Sequence, residues 1–395
     1  MAALVNVELT DEQMNVVCDI LEWFENKRHK KQIMTVGGYA GVGKSTVVKA
    51  AIEALDLPPE RVGYVTFTGK AALVLQMKGN NAQTIHSLIY EPILVSFTHP
   101  VTKLKGVRVA GFKKREVLED YDLLVLDEVS MVSSKLIDDI KSFGVPMLAL
   151  GDPAQLPPVM GVDNKLLLTP DAFLKQIHRQ AADNPILWAT MQIREGRPVP
   201  YGRHGDNLVV IPKHEVTIEQ KLWADQIICC THKERNKINT ELRAHRGFTG
   251  LPKLGEKLIC KKNNWDEVSF GEHFAVPLVN GLMVKVLRDV RSDYDVHESS
   301  RMVYLNVEAL HDPTAQFLSV EANLDYFDPI PGYVPSPEGN HNAFDFGDAI
   351  TCHSSQGSEF DNVLFINDGF GHWIQQQQLL YTGASRAAKN LILAL

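Results

Sequence analysis

The sequence predicts an α/β protein built on parallel sheets, and three observations support this fold class. An apolar, β-branched run at residues 33–36 leads into the glycine-rich stretch 38–45 and then into apolar residues at helical spacing. A second apolar run, 123–126, ends in two adjacent carboxylates. Strand and helix patterns alternate again after residue 226. Because such alternation favours parallel sheets, we expect two α/β units.

Size and composition are those of an ordinary soluble globular protein. The chain has 395 residues, of which 45% are hydrophobic and 22% charged. Its apolar runs are shorter than the roughly 18–20 residues that span a bilayer, and its first residues lack a basic start and an apolar signal core. Five cysteines without CxxC spacing indicate free thiols in a reducing compartment. We therefore expect a cytoplasmic protein without a membrane segment.

The overall charge does not identify a partner. A net charge of −8 gives no bulk electrostatic reason to expect a polyanion. Two groups of basic residues, at 103–115 and at 233–246, run against this balance. A solvated helix face is the default interpretation of either group alone, so charge leaves the partner open.

Residues 38–45, Gly-Tyr-Ala-Gly-Val-Gly-Lys-Ser, have the spacing of a phosphate-binding P-loop. Glycines let backbone N–H groups approach an anion, and the following helix N-terminus adds partial positive charge. Lys44 is expected to reach the β- and γ-phosphates, and the Ser45 hydroxyl to ligate Mg²⁺. A plain glycine-rich turn is the alternative, but the flanking strand and helix favour a nucleoside triphosphate site. The residues predicted to bind the nucleotide here are Gly38, Ala40, Gly41, Val42, Gly43, Lys44, Ser45 and Thr46.

Three other places offer candidates for nucleotide chemistry. Asp127 and Glu128 end a strand, where Asp127 can hold Mg²⁺ and Glu128 can orient or deprotonate the attacking water. A helix cap is the alternative for such a pair. Gln155, after another strand, offers an uncharged amide suited to sensing the γ-phosphate. Gln13 can bond both edges of an adenine, although Thr10 before it makes a helix start the simpler interpretation.

Two strand-to-helix junctions carry polar side chains at the sheet edge where α/β proteins bind ligands. One junction holds Thr68 and Lys70, and the other holds Thr84 and His86. Threonine and histidine at such positions are as often helix caps as ligands. A role in binding is therefore only one of two interpretations here.

Short β-type runs interrupt the α/β alternation twice. Residues 91–116 predict a small β-hairpin that carries the first basic group. Residues 248–340 predict a small β module that contains the hairpin-turn signal Asn280-Gly281 and closes with a proline-rich stretch. Both segments are interpreted as insertions into the α/β units.

Together, these motifs resemble those of the superfamily 1 DNA helicases, and within them the RecD-like and Dda-like branch, superfamily 1B. The match covers nearly the whole chain and keeps the family's motif order. Single motifs other than I and II are weak signals, whereas nine in order are a very strong one. The matching segments are the adenine-reading Q motif at 9–13, motif I at 38–45, Ia at 68–72, Ib at 84–88, II at 127–128, III at 151–157, IV at Arg179-Gln180, V at 349–361 and VI at 380–387.

The resemblance implies two RecA-like P-loop domains with parallel sheets, plus two small β insertions. ATP would be bound between the RecA-like domains. The implied boundaries are domain 1A at 1–90 and 117–175, the β-hairpin insertion 1B at 91–116, domain 2A at 176–247 and 341–395, and the SH3-like insertion 2B at 248–340.

The family's functional residues carry over to matching positions of this sequence. By this resemblance, Arg179 and Arg386 correspond to arginine fingers from the second domain. Such a role suits arginine, because charge spread over phosphoryl oxygens needs a planar, permanently charged donor. Gln356, Gly357 and Glu359 correspond to nucleotide contacts. The implied DNA-backbone contacts are Thr68, Lys70, Thr84, His86, Thr351 and His353, and the candidates for the duplex-splitting pin are Phe97, His99 and Phe112.

The implied function is an ATP-dependent DNA helicase that translocates 5′-to-3′ on single strands, with the polarity resting on resemblance alone. The implied cofactors are ATP and Mg²⁺, and the implied substrates are single-stranded DNA and its junctions with duplex. Single-strand-binding or replisome proteins are candidate partners of a monomer in bacterial or phage-infected cytosol. Two alternatives stay open: a DNA-stimulated translocase that strips proteins without unwinding, and a nucleotide-dependent protein-recruitment module. A second α/β lobe and paired arginines disfavour a small-molecule kinase, which shares the P-loop.

Overall fold

The computed structural model describes most of the chain, which divides into two compact units. The described residues are 9–98, 105–118, 120–158, 162, 164–176, 184–272, 275–293, 295–297, 301–328, 341–369 and 371–395. The first unit comprises Met1–Phe67, Ala72–Pro153 and Pro157–His178. The second unit comprises Thr68–Ala71, Ala154–Leu156 and Arg179–Leu395.

The first unit consists of a parallel sheet, a separate β-hairpin and helices. Its strands are β1 (Ile33–Gly38), β2 (Val62–Thr66), β3 (Ala82–Thr84), β4 (Tyr90–Thr98), β5 (Lys105–Lys114), β6 (Leu123–Leu126), β7 (Met147–Gly151) and β8 (Ala172–Leu174). The helices in this part of the chain are α1 (Asp11–Glu22), α2 (Lys44–Leu55), α3 (Gly69–Met77), α4 (Ile85–Ile89) and α5 (Ser134–Lys141).

The sheet of the first unit has the strand order β3-β2-β6-β7-β1-β8, and every neighbouring pair is parallel. Strand β6 is buried throughout. Its alternate residues point to opposite faces of the sheet, and both faces are covered by hydrophobic clusters. Leu123 and Val125 join the hydrophobic cluster that contains residues of α1 and α2. Leu124 and Leu126 join the cluster that contains residues of α4 and α5. The apolar run 123–126 is thus a strand covered on both faces, as predicted.

Strands β4 and β5 form the antiparallel hairpin that the sequence predicts for residues 91–116. Their register runs from Tyr90 opposite Lys114 to Thr98 opposite Lys105. The pin candidate Phe112 is 69% exposed on β5. The side chain of Phe97 and the whole of His99 lie outside the described residues.

The second unit contains a mostly parallel sheet and a small antiparallel β module. Its strands are β9 (Gly202–His204), β10 (Leu208–Ile211), β11 (Gln226–Cys229), β12 (Lys257–Cys260), β13 (Asn264–Phe270), β14 (Ala275–Leu278), β15 (Met283–Val286), β16 (Val296–His297), β17 (Met302–Ala309), β18 (Asp312–Asn323), β19 (Phe344–Phe346), β20 (Ala349–Thr351), β21 (Phe360–Ile366) and β22 (Ala387–Ala394). Its helices are α6 (Pro185–Arg194), α7 (Ile218–Trp223), α8 (His232–His245), α9 (Cys352–Ser355) and α10 (Trp373–Ala384).

The two larger sheets of the second unit differ in strand direction, and β13 and β14 form a separate antiparallel pair. The order β20-β11-β21-β22-β10-β9 is parallel except for the pair β9 and β10. In the β module, β16, β17, β15, β12 and β19 pair antiparallel, and β18 pairs with β17. The sequence-based fold class, α/β units with small β insertions, is confirmed.

The turn at Asn280-Gly281 differs from its sequence-based prediction. Gly281 has φ +89°, a backbone conformation that favours glycine. However, β14 pairs with β13, whereas β15 pairs with β12 and β17. The turn therefore connects strands of two different sheets, and the hairpin prediction was wrong at this position.

The second basic group is not simply a solvated helix face. On α8, Arg235 pairs with Asp345 at 2.8 Å and Arg243 pairs with Glu256 at 2.7 Å. Glu256 and Arg235 are both buried. These pairs fix α8 to an acidic residue directly before β12 and to another within β19, so the default interpretation fails for these two arginines.

Two further sequence-based expectations concern cysteines and membranes. All five cysteines are free thiols, as predicted. Within the described ranges, no helix has the length and apolar content that crossing a membrane requires.

Candidate nucleotide and nucleic-acid sites

The P-loop connects the end of β1 to the first residue of α2. Gly43 has φ +83°, and a Cβ at this position would lie 2.6 Å from Nε2 of Gln13. Both conditions favour glycine, because a side chain here would be strained and would collide. Gly43 is the N-cap of α2 and has no side chain that could cap the helix. The first N–H groups of α2, at Lys44, Ser45 and Thr46, are therefore suited to bind an anion.

The Lys44 side chain contacts the backbone of the P-loop. Its Nζ donates to the carbonyl oxygens of Gly38, at 2.7 Å, and Tyr39, at 3.0 Å. Ser45, one residue further, is exposed in the first helical turn. An ammonium and a hydroxyl at the same helix start are the donor set that a phosphate with a bound divalent cation uses.

The carboxylate pair lies at the same sheet edge as the P-loop. Ala149 of the intervening strand β7 pairs with both Thr35 of β1 and Leu126 of β6, so the carboxyl ends of β1 and β6 lie at the same sheet edge, on either side of β7. Burial, and after it the neighbouring carboxylate of Glu128, raise the pKa of Asp127 to about 6, while the backbone N–H of Glu128 and the charge of Lys44 oppose the shift. The positive charge of Lys44 therefore acts on Asp127.

The backbone of Glu128 is unusual. Its φ is +54°, a left-handed conformation that is uncommon for residues other than glycine. The backbone N–H of Glu128 donates to Oδ1 of Asp127 at 2.9 Å, and the N–H of Asp127 donates to the Val65 carbonyl at 3.0 Å. Such strain often accompanies functional residues. The hard oxygens of Asp127 and Ser45 fit the ligand preference of Mg²⁺.

Gln13 forms contacts that the sequence suggested only in part. It completes a capping box with Thr10, in which the Thr10 N–H donates to Oε1 at 3.0 Å and the Gln13 N–H donates to the Thr10 hydroxyl at 3.2 Å. Its Nε2 donates to the Val42 carbonyl at 3.0 Å, and the side chain is 1% exposed. The helix-start interpretation is therefore correct, and Gln13 also ties α1 to the P-loop. Adenine recognition by Gln13 stays a prediction.

Gln155 belongs to the short segment Ala154–Leu156, which groups with the second unit. Its side chain is buried, and its Oε1 has no hydrogen-bond partner within the described part of the chain. Leaving a buried acceptor unpaired costs about 1–3 kcal/mol, so a bound group or water is expected to satisfy it. The buried amide of Gln356 lies next to this segment, donating to the Leu156 carbonyl at 3.4 Å.

Arg386 is a buried cation in the same unit. Its guanidinium donates to the carbonyls of Thr382, at 3.1 Å, and Ser358, at 3.3 Å, and to the hydroxyl of Ser385, at 3.0 Å. Among the residues that the structure describes, no carboxylate lies at ion-pair distance from it. A buried charge without a counter-ion favours an anionic ligand.

The remaining nucleotide candidates differ in their surroundings. Gly357 has φ +68°, and a Cβ there would lie 3.0 Å from Cβ of Ala71. Glu359 is exposed. Arg179 lies outside the described residues.

The predicted DNA contacts at Thr84 and Thr351 are both helix N-caps. The Thr84 hydroxyl accepts from the Ser87 N–H at 3.2 Å, and the Thr351 hydroxyl accepts from the Ser354 N–H at 3.4 Å. Both threonines are buried. The helix-cap interpretation is therefore correct for both threonines, and a DNA contact at these turns stays a prediction that also involves the neighbouring histidines.

The histidines of these turns are more accessible than the threonines. His86 is exposed and His353 is half-buried. Partial burial of the two rings lowers the pKa of both. This shift favours the neutral imidazole, which offers one N–H donor.

Thr68 and Lys70 belong to the second unit, whereas Thr84 and His86 belong to the first. The Thr68 hydroxyl accepts from the Ala71 N–H at 3.2 Å, which caps the start of α3. The Lys70 ammonium lies 4.8 Å from the centre of the Phe360 ring. Burial and then Lys257 lower the pKa of Lys70 to about 8.

Sequence reasoning missed the aromatic surroundings of His86. The Phe67 ring lies 6.3 Å and the Tyr90 ring 5.8 Å from the imidazole, centre to centre. The only available signal was the position of Phe67 at the end of a predicted strand, beside Thr68.

The sequence is similar to two protein-family models and to known DNA helicases. The AAA-domain family model matches residues 8–206, about half of the chain, and the UvrD-like helicase C-terminal domain matches residues 346–394. The ATP-dependent RecD2 DNA helicase of Deinococcus radiodurans is 32% identical over 406 residues, covering 96% of this chain and 48% of the relative. The ATP-dependent DNA helicase dda of Enterobacteria phage T4 is 28% identical over 204 residues, covering 48% of this chain and 43% of the relative. The chain thus spans less than half the length of these curated relatives.

Solved structures of Pif1 helicases share the fold. The Pif1 helicase from Candida albicans has a TM-score of 0.55 at 19% identity, with 98% of this chain and 95% of that chain covered. A Pif1 helicase from Bacteroides in complex with ADP-AlF3 and ssDNA has a TM-score of 0.56 at 17% identity, with 98% and 92% covered. The fold is therefore that of two RecA-like domains with small β insertions. The chain belongs to the AAA-domain family and, with its RecD2 and dda relatives, to the RecD-like and Dda-like branch of the superfamily 1B helicases.

Proposed function

We propose that this chain is an ATP-dependent DNA helicase that translocates 5′-to-3′ on single-stranded DNA and couples ATP hydrolysis to strand separation. The observation that carries the proposal is the sheet edge that the P-loop with Lys44 shares with the Asp127–Glu128 pair. The names of the RecD2 and dda relatives support the same activity. The direction of movement rests on family resemblance.

The first unit supplies the groups for nucleotide chemistry. The N–H groups at the start of α2 and the Lys44 ammonium bind the β- and γ-phosphates. Ser45 and Asp127 hold Mg²⁺, which neutralises charge on the phosphates when it is bound. Glu128 orients the attacking water and accepts its proton. Gln13 contacts the adenine.

The second unit supplies groups that respond to the γ-phosphate. Arg386 and Arg179 act as arginine fingers, because their charge is permanent and planar. Gln155 senses the phosphate through its amide, with Nε2 donating to a phosphate oxygen or the unsatisfied Oε1 accepting from a bridging water. Gln356, Gly357 and Glu359 contact the nucleotide.

DNA is proposed to follow a path over both units. Its backbone contacts Thr68, Lys70, Thr84, His86, Thr351 and His353, without reading sequence. The pin is proposed in insertion 1B (91–116), with Phe97, His99 or Phe112 as its wedge. The other domains are proposed as 1A at 1–90 and 117–175, 2A at 176–247 and 341–395, and 2B at 248–340.

Strand displacement on tailed duplexes tests the proposal. Displacement of 5′-tailed but not 3′-tailed duplex, with ATP hydrolysis that rises many-fold on single-stranded DNA, is expected. Hydrolysis that rises without displacement would favour the translocase that strips proteins. Hydrolysis that single-stranded DNA leaves unchanged would favour the protein-recruitment module.

A further inference from the structure

We propose that Lys261, together with His232 and Ser354, forms a contact site for a phosphate of the single-stranded DNA backbone. The site adds to the turn at residues 351–354 two residues that no motif match assigns. It rests on the proposed function, because it names where that function holds one part of its DNA substrate.

Three separate segments of the second unit converge at this site. Lys261 directly follows β12, at the start of the β module. Its Nζ lies 3.5 Å from the hydroxyl of Ser354, which is on α9. His232 is the first residue of α8, and it is exposed. Because β11 and β20 are adjacent parallel strands, the helices that follow them, α8 and α9, begin at the same sheet edge.

The charge of Lys261 is poorly compensated within the protein. Its side chain is half-buried, and no carboxylate lies at ion-pair distance from it within the described ranges. Asp345, a carboxylate that acts electrostatically on Lys261, already pairs with Arg235 at 2.8 Å. A partly buried ammonium without a counter-ion is unfavourable unless an anion binds it.

The neighbouring cations outweigh the one neighbouring carboxylate. Burial lowers the pKa of Lys261, and Arg235 lowers it further, while Asp345 partly opposes the shift. Burial also lowers the pKa of His232, Arg235 and Lys261 lower it further, Asp345 opposes the shift, and His353 adds a smaller lowering effect. These mutual effects indicate that the cationic groups lie close together, as they do around bound phosphates.

The donor set fits a phosphodiester. An ammonium, a hydroxyl and an imidazole N–H can each donate to a phosphate oxygen. The capped Thr351–Ser354 turn presents its hydroxyls 3.0 Å apart beside the lysine. A sequence-independent contact to a DNA backbone needs this chemistry.

Substitution of Lys261 tests the site through the salt dependence of binding. We expect Lys261→Gln, which keeps most of the packed stem, to reduce the slope of log affinity against log salt by about 0.7, the value for one phosphate of a single strand. If wild type and variant bind equally well at 1 M salt, the variant should bind roughly five-fold more weakly than wild type at 0.1 M salt. Fluorescence anisotropy with a labelled oligothymidylate measures both quantities. Lys261→Arg, which keeps the charge, should preserve the slope.

Lys237→Gln is the matched control. Lys237 lies on α8, its side chain is 68% exposed, and Glu234 pairs with it at 3.7 Å. This variant removes the same charge from the same unit and should leave both affinity and slope unchanged. Thermal melting measured by circular dichroism identifies any variant that does not fold. If Lys261→Gln does not fold, two other variants test the site: Lys261→Arg should keep the affinity for DNA, and His232→Gln should lower it.

The outcomes separate this site from the proposed function. If wild-type protein binds the oligothymidylate and Lys261→Gln matches Lys237→Gln in affinity and slope, the site is refuted while the function stands. If Lys261→Gln weakens binding of ATP or inorganic phosphate instead of DNA, the site belongs to the nucleotide and the proposal is wrong. If wild-type protein does not bind single-stranded DNA, the function and this site are refuted together.

Discussion

Each of the two α/β units carries the same turn at the edge of its parallel sheet. In the first unit β3 leads through Thr84 into α4, and in the second unit β20 leads through Thr351 into α9. Both threonine hydroxyls lie 3.0 Å from a serine hydroxyl three residues later, and both cap the helix. The sequence Thr-x-His-Ser therefore forms one capped turn twice.

The surroundings of the two turns differ. Around His86 lie the rings of Phe67 and Tyr90, which suit stacking against nucleic-acid bases. At the second turn Lys261 contacts Ser354, and both Lys261 and His353 act electrostatically on His232; these groups suit phosphate oxygens. The comparison shows that one local geometry can serve two kinds of contact, because the packed neighbours decide its chemistry.

A second difference concerns nucleotide chemistry. Within the described parts of the chain, only the first unit combines its turn with a P-loop and a buried carboxylate pair. The second unit instead offers a buried arginine and a buried unsatisfied amide. The units thus share a sheet and a turn but divide the chemistry.

Glu128→Gln should have the largest effect on this division. The amide keeps the shape of the side chain but cannot accept a proton, so ATP turnover should fall by about 10²–10⁴-fold while ATP binding persists. Steady-state hydrolysis and binding of a fluorescent ATP analogue measure the two. A normal turnover rate would remove Glu128 from its catalytic role.

Lys44→Ala separates the P-loop of the first unit from the turn of the same unit. Loss of one positive donor to the phosphates should lower hydrolysis by about 10²–10³-fold. Affinity for single-stranded DNA should stay largely intact, because the turn at Thr84 is untouched. Equal loss of both activities would contradict the assignment of separate sites.

Phe67→Ala tests whether the first turn acts by stacking. We expect it to weaken oligothymidylate binding by about 1–3 kcal/mol, the cost of one stacked base. The salt slope should not change, in contrast to the Lys261 variants. Tyr201→Ala, at an exposed aromatic residue of the second unit, is the control. A reduced salt slope for Phe67→Ala would show that the two turns do not differ in the way inferred here.

Thr84→Ala and Thr351→Ala should have the smallest effects and test the shared geometry. Each removes an N-cap bond and should lower the free energy of unfolding by about 1 kcal/mol. Urea denaturation measures this loss, and Thr→Ser variants at the same positions should restore most of it. Clearly unequal losses would mean that the capped turns are not equivalent.

Much of the candidate site could be predicted because its signals are local. The strand, glycine loop and helix around Lys44 occupy consecutive residues, and the pair Asp127–Glu128 follows an apolar run directly. The hairpin in 91–116 was predictable for the same reason. Hydrophobic period and glycine position act over a few residues, so the sequence displays them.

Other features could not be predicted because they depend on residues far apart in sequence. The amide of Gln13 reaches the Val42 carbonyl, 29 residues away. The Asn280-Gly281 turn has hairpin residues, yet strand pairing elsewhere makes it a connection between sheets. Arg235 on α8 meets an acid that lies over a hundred residues later.

The sequence by itself determined the α/β fold class, the P-loop and the order of the motifs, since residue type and spacing along the chain are sufficient for these. Only the tertiary structure decided which charges are neutralised and which are left for a ligand. Arg235 is paired with Asp345, whereas Lys261, which lies 93 residues before Ser354, has no carboxylate at ion-pair distance in the described chain. Electrostatic compensation depends on distance in space and on burial, and neither quantity can be read along a sequence.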